Sequence, residues 1–115
     1  MTTPTSRMLE AMATSTHGDD VYFEDESTLA FQSHIAKLLG HEKGLFVSSG
    51  TAGNQISLRT HLLQPPHSVL CDHRAHIATY EAGGLASLSQ AMLQPVVPQN
   101  GTYLTLEDGK YLLFH

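Results

Sequence analysis

The sequence predicts an α/β fold with a mostly parallel sheet, and three observations carry that prediction. Leu45-Phe46-Val47-Ser48 is a short apolar run followed at once by the glycine-bearing turn Ser49-Gly50-Thr51-Ala52-Gly53-Asn54 and then by helical spacing. Ser68–Asp72 (SVLCD) comes next as a second short apolar stretch, so residues 45–72 spell strand, helix, strand, a unit whose strands run parallel. Residues 92–97 (MLQPVV) are a third candidate strand, confined to an edge or a bend by Pro95.

The remaining elements follow from spacing and caps. Met8, Ala11 and Met12 recur at helical intervals behind Pro4 and Thr5, which suit a helix opening, and Gly18 closes that pattern. Five of the eight residues from Asp19 to Glu26 are acidic, around Val21-Tyr22-Phe23, and as electrostatics they read as a solvated loop. Ser27 or Thr28 is placed to cap a second helix with apolar positions Phe31, Ile35, Leu38 and Leu39, and Gly40 stands where a helix-ending glycine belongs. The third helix carries Ala52, Ile56, Arg59, Leu62 and Leu63 and stops at Pro65-Pro66. His73–Ala82 reads as loop and short helix, interrupted by Gly83-Gly84, and residues 87–92 are ambiguous. Gln99-Asn100-Gly101 is a turn, and Thr105 caps a helix that starts near Leu104–Asp108.

Composition excludes several classes. The 115 residues match the size of one domain. Six basic against eleven acidic side chains give a net charge of −5, a poor partner for phosphate backbones, so no nucleic-acid partner is expected. No apolar run approaches the roughly 20 residues that span a bilayer, so no membrane partner is expected. Cys71 is the single cysteine and residues 1–7 lack a signal-peptide pattern, which together predict a cytoplasmic setting. Charged residues are only 15% against about 25% in an ordinary domain, so much of the surface must be apolar or weakly polar. Such a surface suits an element that packs against more protein.

Two segments have the residues for chemistry. The Ser48–Asn54 turn aims backbone N–H groups and the positive end of a helix dipole at one spot, with hydroxyls from Ser49 and Thr51 beside them. It is neither GxGxxG nor a P-loop, and an ordinary capped turn has the same composition. Asp72-His73-Arg74-Ala75-His76-Ile77 follows a strand's C-terminal end, where ligands of open α/β sheets sit. His76 there is either a structural histidine or a ring that stacks on a planar cofactor and moves a proton. A metal site from Cys71, Asp72, His73 and His76 is disfavoured, because Cys71 and Asp72 point to opposite faces of a strand.

Taken together, four blocks in order carry a family resemblance: Pro4–Met12, Gly18–Asp25 (GDDVYFED), Ser49–Gln55 (SGTAGNQ) and His76–Gly83 (HIATYEAG). The chain resembles the low-specificity threonine aldolases, pyridoxal 5′-phosphate enzymes of the aspartate aminotransferase fold, type I, over roughly residues 3–108. The resemblance implies part of a three-layer αβα large domain, truncated, with residues 1–108 as its N-terminal portion and residues 109–115 as a divergent end. It places the cofactor phosphate at Ser49, Gly50 and Thr51 and stacks His76 on the pyridine ring. His76 then takes part in removing the β-hydroxyl proton, with Tyr80 near the same pocket. The implied reaction is cleavage of threonine and similar β-hydroxy-α-amino acids to glycine and an aldehyde. The implied partners are a small amino-acid substrate and, in the complete protein, a second copy in a homo-oligomer. The Gly18–Asp25 loop is implied to lie near the active site and dimer interface.

The family's Schiff-base lysine, ring-nitrogen aspartate and carboxylate-binding arginines belong downstream of these motifs. Lys37, Lys43 and Lys110 do not match that lysine, and Arg7, Arg59 and Arg74 do not match those arginines. The expectation is therefore the N-terminal portion of a lyase that is inactive alone. The alternative is a non-catalytic fragment that binds phosphate weakly or pairs with a full-length partner.

Overall fold

The computed structural model describes residues 3–113, and the chain divides into two units at the Phe46–Val47 junction. The first unit holds helices α1 (Ser6–Thr14) and α2 (Glu26–Leu39), with a 3-10 turn at Asp20–Tyr22 between them. Thr5 caps α1 through its hydroxyl, which accepts from the Met8 N–H at 3.3 Å, while the Met8 sulfur accepts from the Thr5 N–H at 3.4 Å. The helix ends at Thr14, four residues before Gly18. There the Thr14 and Ser15 hydroxyls donate back to the Glu10 and Met12 carbonyls at 3.0 Å, and Ser15 turns to extended backbone.

The acidic run is built rather than loose. Asp19 caps the 3-10 turn by accepting from the Val21 N–H at 2.9 Å, and Phe23 closes it in the left-handed region at φ 61°. Asp25, not Ser27 or Thr28, caps α2: its Oδ1 accepts from the Thr28 N–H at 2.8 Å. A carboxylate at that position also answers the positive helix end. Ser27 is instead engaged with Thr16, hydroxyl to hydroxyl at 2.7 Å. Gly40 ends α2 at φ 71° as predicted, with its N–H directed at the Ala36 and Lys37 carbonyls.

No strand forms at Leu45–Ser48. A strand needs a neighbouring ladder, and here the Phe46 N–H is taken by the Gln32 side chain at 2.8 Å while its ring meets Phe31 edge to face at 5.9 Å. Phe46 thus lies against α2, while Val47 comes within 3.4 Å of a Cβ placed at Gly53 of the helix that starts at Gly50.

The second unit contains α3 (Gly50–His61), β1 (His67–Asp72), α4 (His76–Thr79), α5 (Gly84–Ser89), β2 (Ala91–Val96) and α6 (Leu106–Leu113). Its described sheet is the parallel pair β1–β2, in register from His67 opposite Ala91 to Asp72 opposite Val96. The α/β class and the parallel pairing are as predicted, with two strands in place of three. Pro95 lies opposite Cys71 without ending the ladder, as an edge position allows. The ambiguous stretch 87–92 divides between the end of α5 and the start of β2, with Gln90 at φ 53° as the hinge. Helix α5 packs on β2 and α3 packs on α5. Leu85, Ser89, Ala91 and Cys71 are the buried centre of this unit.

Two devices shape the sheet's C-terminal end. Arg74 grips Asp72 with its Nη2 at 2.6 Å and its Nε at 2.9 Å, while the same guanidinium donates to the Gly101 and Thr102 carbonyls at 3.0 Å. The predicted turn at 99–101 is therefore tied to the end of β1, with Gly101 at φ 72°. Asp108 accepts from the Thr105 N–H and hydroxyl at 2.7 and 2.6 Å and from the Gln99 N–H at 3.0 Å, which fixes the start of α6. That helix runs through Gly109 to Leu113, although glycine is a weak helix former. Gly109 is buried, and the Thr105–Asp108 cap supplies the start that propensity lacks. Residues 114–115 of the divergent end lie outside the described residues.

Gly18 is required by contact. A Cβ there would overlap the Glu24 carbonyl, which is backbone and cannot swing away. Gly18→Ala is expected to open the 18–25 turn, read as faster amide hydrogen exchange at Val21 and Glu24, while exchange in β1 and β2 stays unchanged.

Acid should loosen the fold in a defined direction. The Arg74 guanidinium and N–H hold the Asp72 carboxyl far below the usual carboxylate range, and hydrogen bonds lower Asp25, Glu81 and Asp108 as well. Lowered folded-state values give stability that is complete above the unfolded carboxylate pKa of about 4 and is lost as pH falls below it. The melting temperature is expected to fall on acidification below about pH 4. Asp72→Asn should lower it at neutral pH and flatten part of that acid slope, as thermal melts across pH would show.

Candidate functional site

The turn before α3 is an open helix start. Ser49 is the N-cap, accepting from the Ala52 N–H at 3.1 Å through its hydroxyl, and its carbonyl accepts from the Gly53 N–H at 3.0 Å. The N–H groups of Gly50 and Thr51, the first two of the helix, have no hydrogen-bond partner among the described residues. A Cβ at Gly50 would meet nothing within 4 Å beyond its chain neighbours and its own helix backbone, so the side of the turn is open there. Two bare N–H groups, the helix dipole and a capping hydroxyl whose proton remains available make an anion-binding arrangement.

His76 opens α4, just past the end of β1. Its Nδ1 lies 2.9 Å from Oε1 of Glu81. The imidazole is otherwise mostly exposed, and the Tyr80 ring lies against it with centroids 5.3 Å apart at a 35° tilt. The rings of His76 and Tyr80 are thus in contact.

Glu81 is what sequence reasoning missed. Its carboxylate is fully buried, and its oxygens accept from Asn54 Nδ2 at 2.6 Å and Gln55 Nε2 at 2.7 Å as well as facing His76. The Asn54 and His76 bonds, with the Gln55 bond, hold the Glu81 carboxyl below its usual range against the opposing effect of burial. Asn54 stands one turn along α3 from Gly50, so this carboxylate links the open helix start to the histidine. Only the joint presence of Asn54-Gln55 and Glu81 in the motif blocks hinted at it, since nothing local marks a carboxylate as buried.

The same geometry leaves Gly84 little room for a side chain. A Cβ at Gly84 would touch the Gln55 amide at 3.4 Å, so glycine there lets Gln55 reach Glu81. Gly83 precedes it at φ 73° and Ala82 at φ 49°, a left-handed pair that turns the chain from Glu81 into α5.

The weaker candidates resolve differently. Asp72 is occupied by Arg74, with His73 Nδ1 at 3.3 Å, and the buried Cys71 thiol is pushed up by desolvation and by Asp72. Neither is presented as a metal ligand. Lys110 lies on α6, 3.4 Å from Glu107. A hollow of about 400 Å³ between α3 and α5, lined by Ile56, Arg59, Thr60 and Leu88, lies on the side of Gln55 and Ser89.

Comparison with known proteins agrees with the resemblance found in the motifs. The chain is 63% identical over 109 residues to the low-specificity L-threonine aldolase of Eremothecium gossypii, a match that takes in 95% of this chain and 28% of that protein. It is 59% identical over 109 residues to the low specificity L-threonine aldolase of Saccharomyces cerevisiae, again 95% and 28%. With the corresponding protein of Candida albicans the identity is 55% over 108 residues, 93% of this chain and 29% of that one. The chain therefore spans less than a third of the length of the curated relatives it matches. The profile of the beta-eliminating lyases matches residues 1–113. On that near-complete match, the chain belongs to the beta-eliminating lyase family.

Proposed function

We propose that this chain supplies part of the cofactor face of a pyridoxal-phosphate lyase that cleaves threonine and similar β-hydroxy-α-amino acids to glycine and an aldehyde. The observation that carries the reading is the linkage of an open helix start to an exposed histidine through one buried carboxylate. Identity of 53–63% to four proteins named as aldolases supports the same reaction class.

The residues present fit the cofactor. The Gly50 and Thr51 N–H groups would hold the phosphate, the Ser49 hydroxyl would donate its proton to a phosphate oxygen while still capping α3, and the clear space at Gly50 admits the group. When bound, pyridoxal phosphate supplies an electron sink for the pair released as the Cα–Cβ bond breaks. His76 would stand against the cofactor, and its Nε2 would accept the proton of the substrate β-hydroxyl, so that the departing carbon leaves as an aldehyde. Tyr80 braces the imidazole from its own side and lines the same pocket. The lysine, the ring-nitrogen carboxylate and the substrate-carboxylate arginines come from other parts of the complete protein. In that protein residues 1–108 form the N-terminal portion of the cofactor domain, and residues 109–115 diverge from the family pattern.

The complete protein is a cytoplasmic homo-oligomer acting on a small amino acid. Exposed Leu63, Leu88, Met92, Val97 and Leu106 in the second unit support burial against further protein, and no helix among the described residues is long and apolar enough to cross a membrane.

Two substitutions separate the two roles, made in a chimera in which residues 1–108 replace the matching segment of the Saccharomyces cerevisiae protein. His76→Ala is expected to lower threonine cleavage by about a hundredfold or more, the scale of general-base catalysis, with cofactor still bound. Wild-type turnover would remove His76 from the mechanism. At Gly50 a Cβ meets no other part of the protein within 4 Å, so the fold should persist in Gly50→Val, while the branched side chain crowds the phosphate off the N–H donors; losing one charge-assisted hydrogen bond, about 1.5–3 kcal/mol, lowers cofactor affinity about tenfold or more. Unchanged cofactor affinity in an absorbance titration would sink the phosphate assignment.

A further inference from the structure

Glu81 has no part in binding or chemistry above, yet it is the group on which the others converge. Oε1 serves both Asn54 Nδ2 at 2.6 Å and His76 Nδ1 at 2.9 Å, and Oε2 serves Gln55 Nε2 at 2.7 Å. Its side chain is fully buried while that of His76 is 58% exposed. An ionised carboxylate accepts hydrogen bonds and donates none. Both amides must therefore turn their NH2 groups toward it, and the nitrogen of His76 that faces it must bear a proton.

We propose that Glu81 is the positioning residue of this site, fixing neutral His76 as the Nδ1–H tautomer with its Nε2 lone pair toward the open side. This rests on the reading of His76 as the base. A neutral imidazole has one ring proton, and the hydrogen bond at one nitrogen decides the state of the other. With the proton committed to Glu81, Nε2 is an acceptor before any substrate arrives. Were the tautomer reversed, Nε2 would carry a proton and be unable to take one from a hydroxyl. Glu81 also fixes the ring's direction. Its position is set by two amides on consecutive residues of α3, and Ser89 Oγ lies 3.5 Å from the Gln55 amide oxygen. The lowered pKa of Glu81 keeps the carboxylate ionised across the neutral range, so the lock does not depend on its titration there.

The test is the ring nitrogen spectrum of His76 in the full chain. It is recorded in alkaline buffer, where imidazoles are neutral, and assigned by the signals that vanish in His76→Gln. A proton-bearing Nδ1 and a lone-pair Nε2 are expected, and a predominantly Nε2–H ring overturns the proposal without any substitution at Glu81. Glu81→Gln keeps the shape but turns one acceptor into a donor, so the three donors are no longer all satisfied. It should convert His76 to mixed tautomers while the other histidine signals stay in place. In the chimera it should lower kcat about ten- to a hundredfold with little change in KM, the range seen when a histidine's orienting partner is lost. A lower melting temperature with unmoved His76 signals and unchanged kcat would mean a purely structural carboxylate and overturn the proposal. Should His76→Ala retain full turnover while the Nδ1–H signature is present, the base assignment falls and the tautomer lock stands.

Discussion

A carboxylate removed from water survives as an ion only if the protein replaces its hydration, and Glu81 meets that constraint with three donors from two segments far apart in sequence. Asn54 and Gln55 come from α3, and His76 comes from the turn after β1. The constraint works in both directions. The amides have little freedom to rotate because their NH2 groups are committed, and Glu81 is held because removing any donor would leave buried charge uncompensated. The surrounding backbone conforms to this cluster: Gly84 makes room for the Gln55 amide, and Ala82 and Gly83 accept left-handed conformations to turn the chain away. That the unusual backbone angles follow directly after Glu81 accords with strain gathering beside functional residues.

How much of this was legible in the sequence depends on the range of the interaction that fixes each feature. Local rules located most elements: the Thr5 start, the Gly40 stop, the Gly101 turn and the Thr105–Asp108 opening are set by neighbours within four residues. Errors arose where two local rules competed or where the answer was not local. Ser27 or Thr28 was the expected cap of α2, but Asp25 takes that place while Ser27 is engaged by Thr16, eleven residues upstream. Leu45–Ser48 has a strand's composition, but the Phe46 N–H and ring are engaged by Gln32 and Phe31 of α2. Of the site, the helix start and His76 were visible because a motif places them. The Glu81 hub was not, since bonds spanning 27 and 26 residues leave no periodicity to read.

The low charge content also has a structural counterpart. Few side chains are fully buried, and they are small or of moderate size, such as Ala36, Leu85 and Ala91, while Leu63 and Val21 are 91% and 79% exposed. Burial of so little apolar surface gives each unit a small hydrophobic contribution. Order within the described residues therefore leans on directional contacts: the Asp19 and Asp25 caps in the first unit, and the Asp72–Arg74 clamp and Glu81 cluster in the second. Several of these depend on an ionised carboxylate, which ties the integrity of the elements around the site to charge more closely than a larger core would.

Helix α3 then serves two ends with one register. Its first turn leaves the Gly50 and Thr51 N–H groups bare because Ser49 satisfies only the Ala52 and Gly53 N–H groups, and its second turn presents Asn54 and Gln55 to Glu81. The rise of an α-helix is about 1.5 Å per residue, so Gly50 and Asn54 are separated by about 6 Å along the axis. The bare N–H groups of the first turn and the imidazole held by Glu81 beyond the second are then spaced by a rigid rod rather than by loops. Shifting α3 by one residue would move the bare N–H groups and the amides together, and both roles would be lost at once. The Ser49 cap fixes that register at the start and the Glu81 carboxylate fixes it one turn on, which makes the distance between the bare N–H groups and the histidine a property of the helix itself.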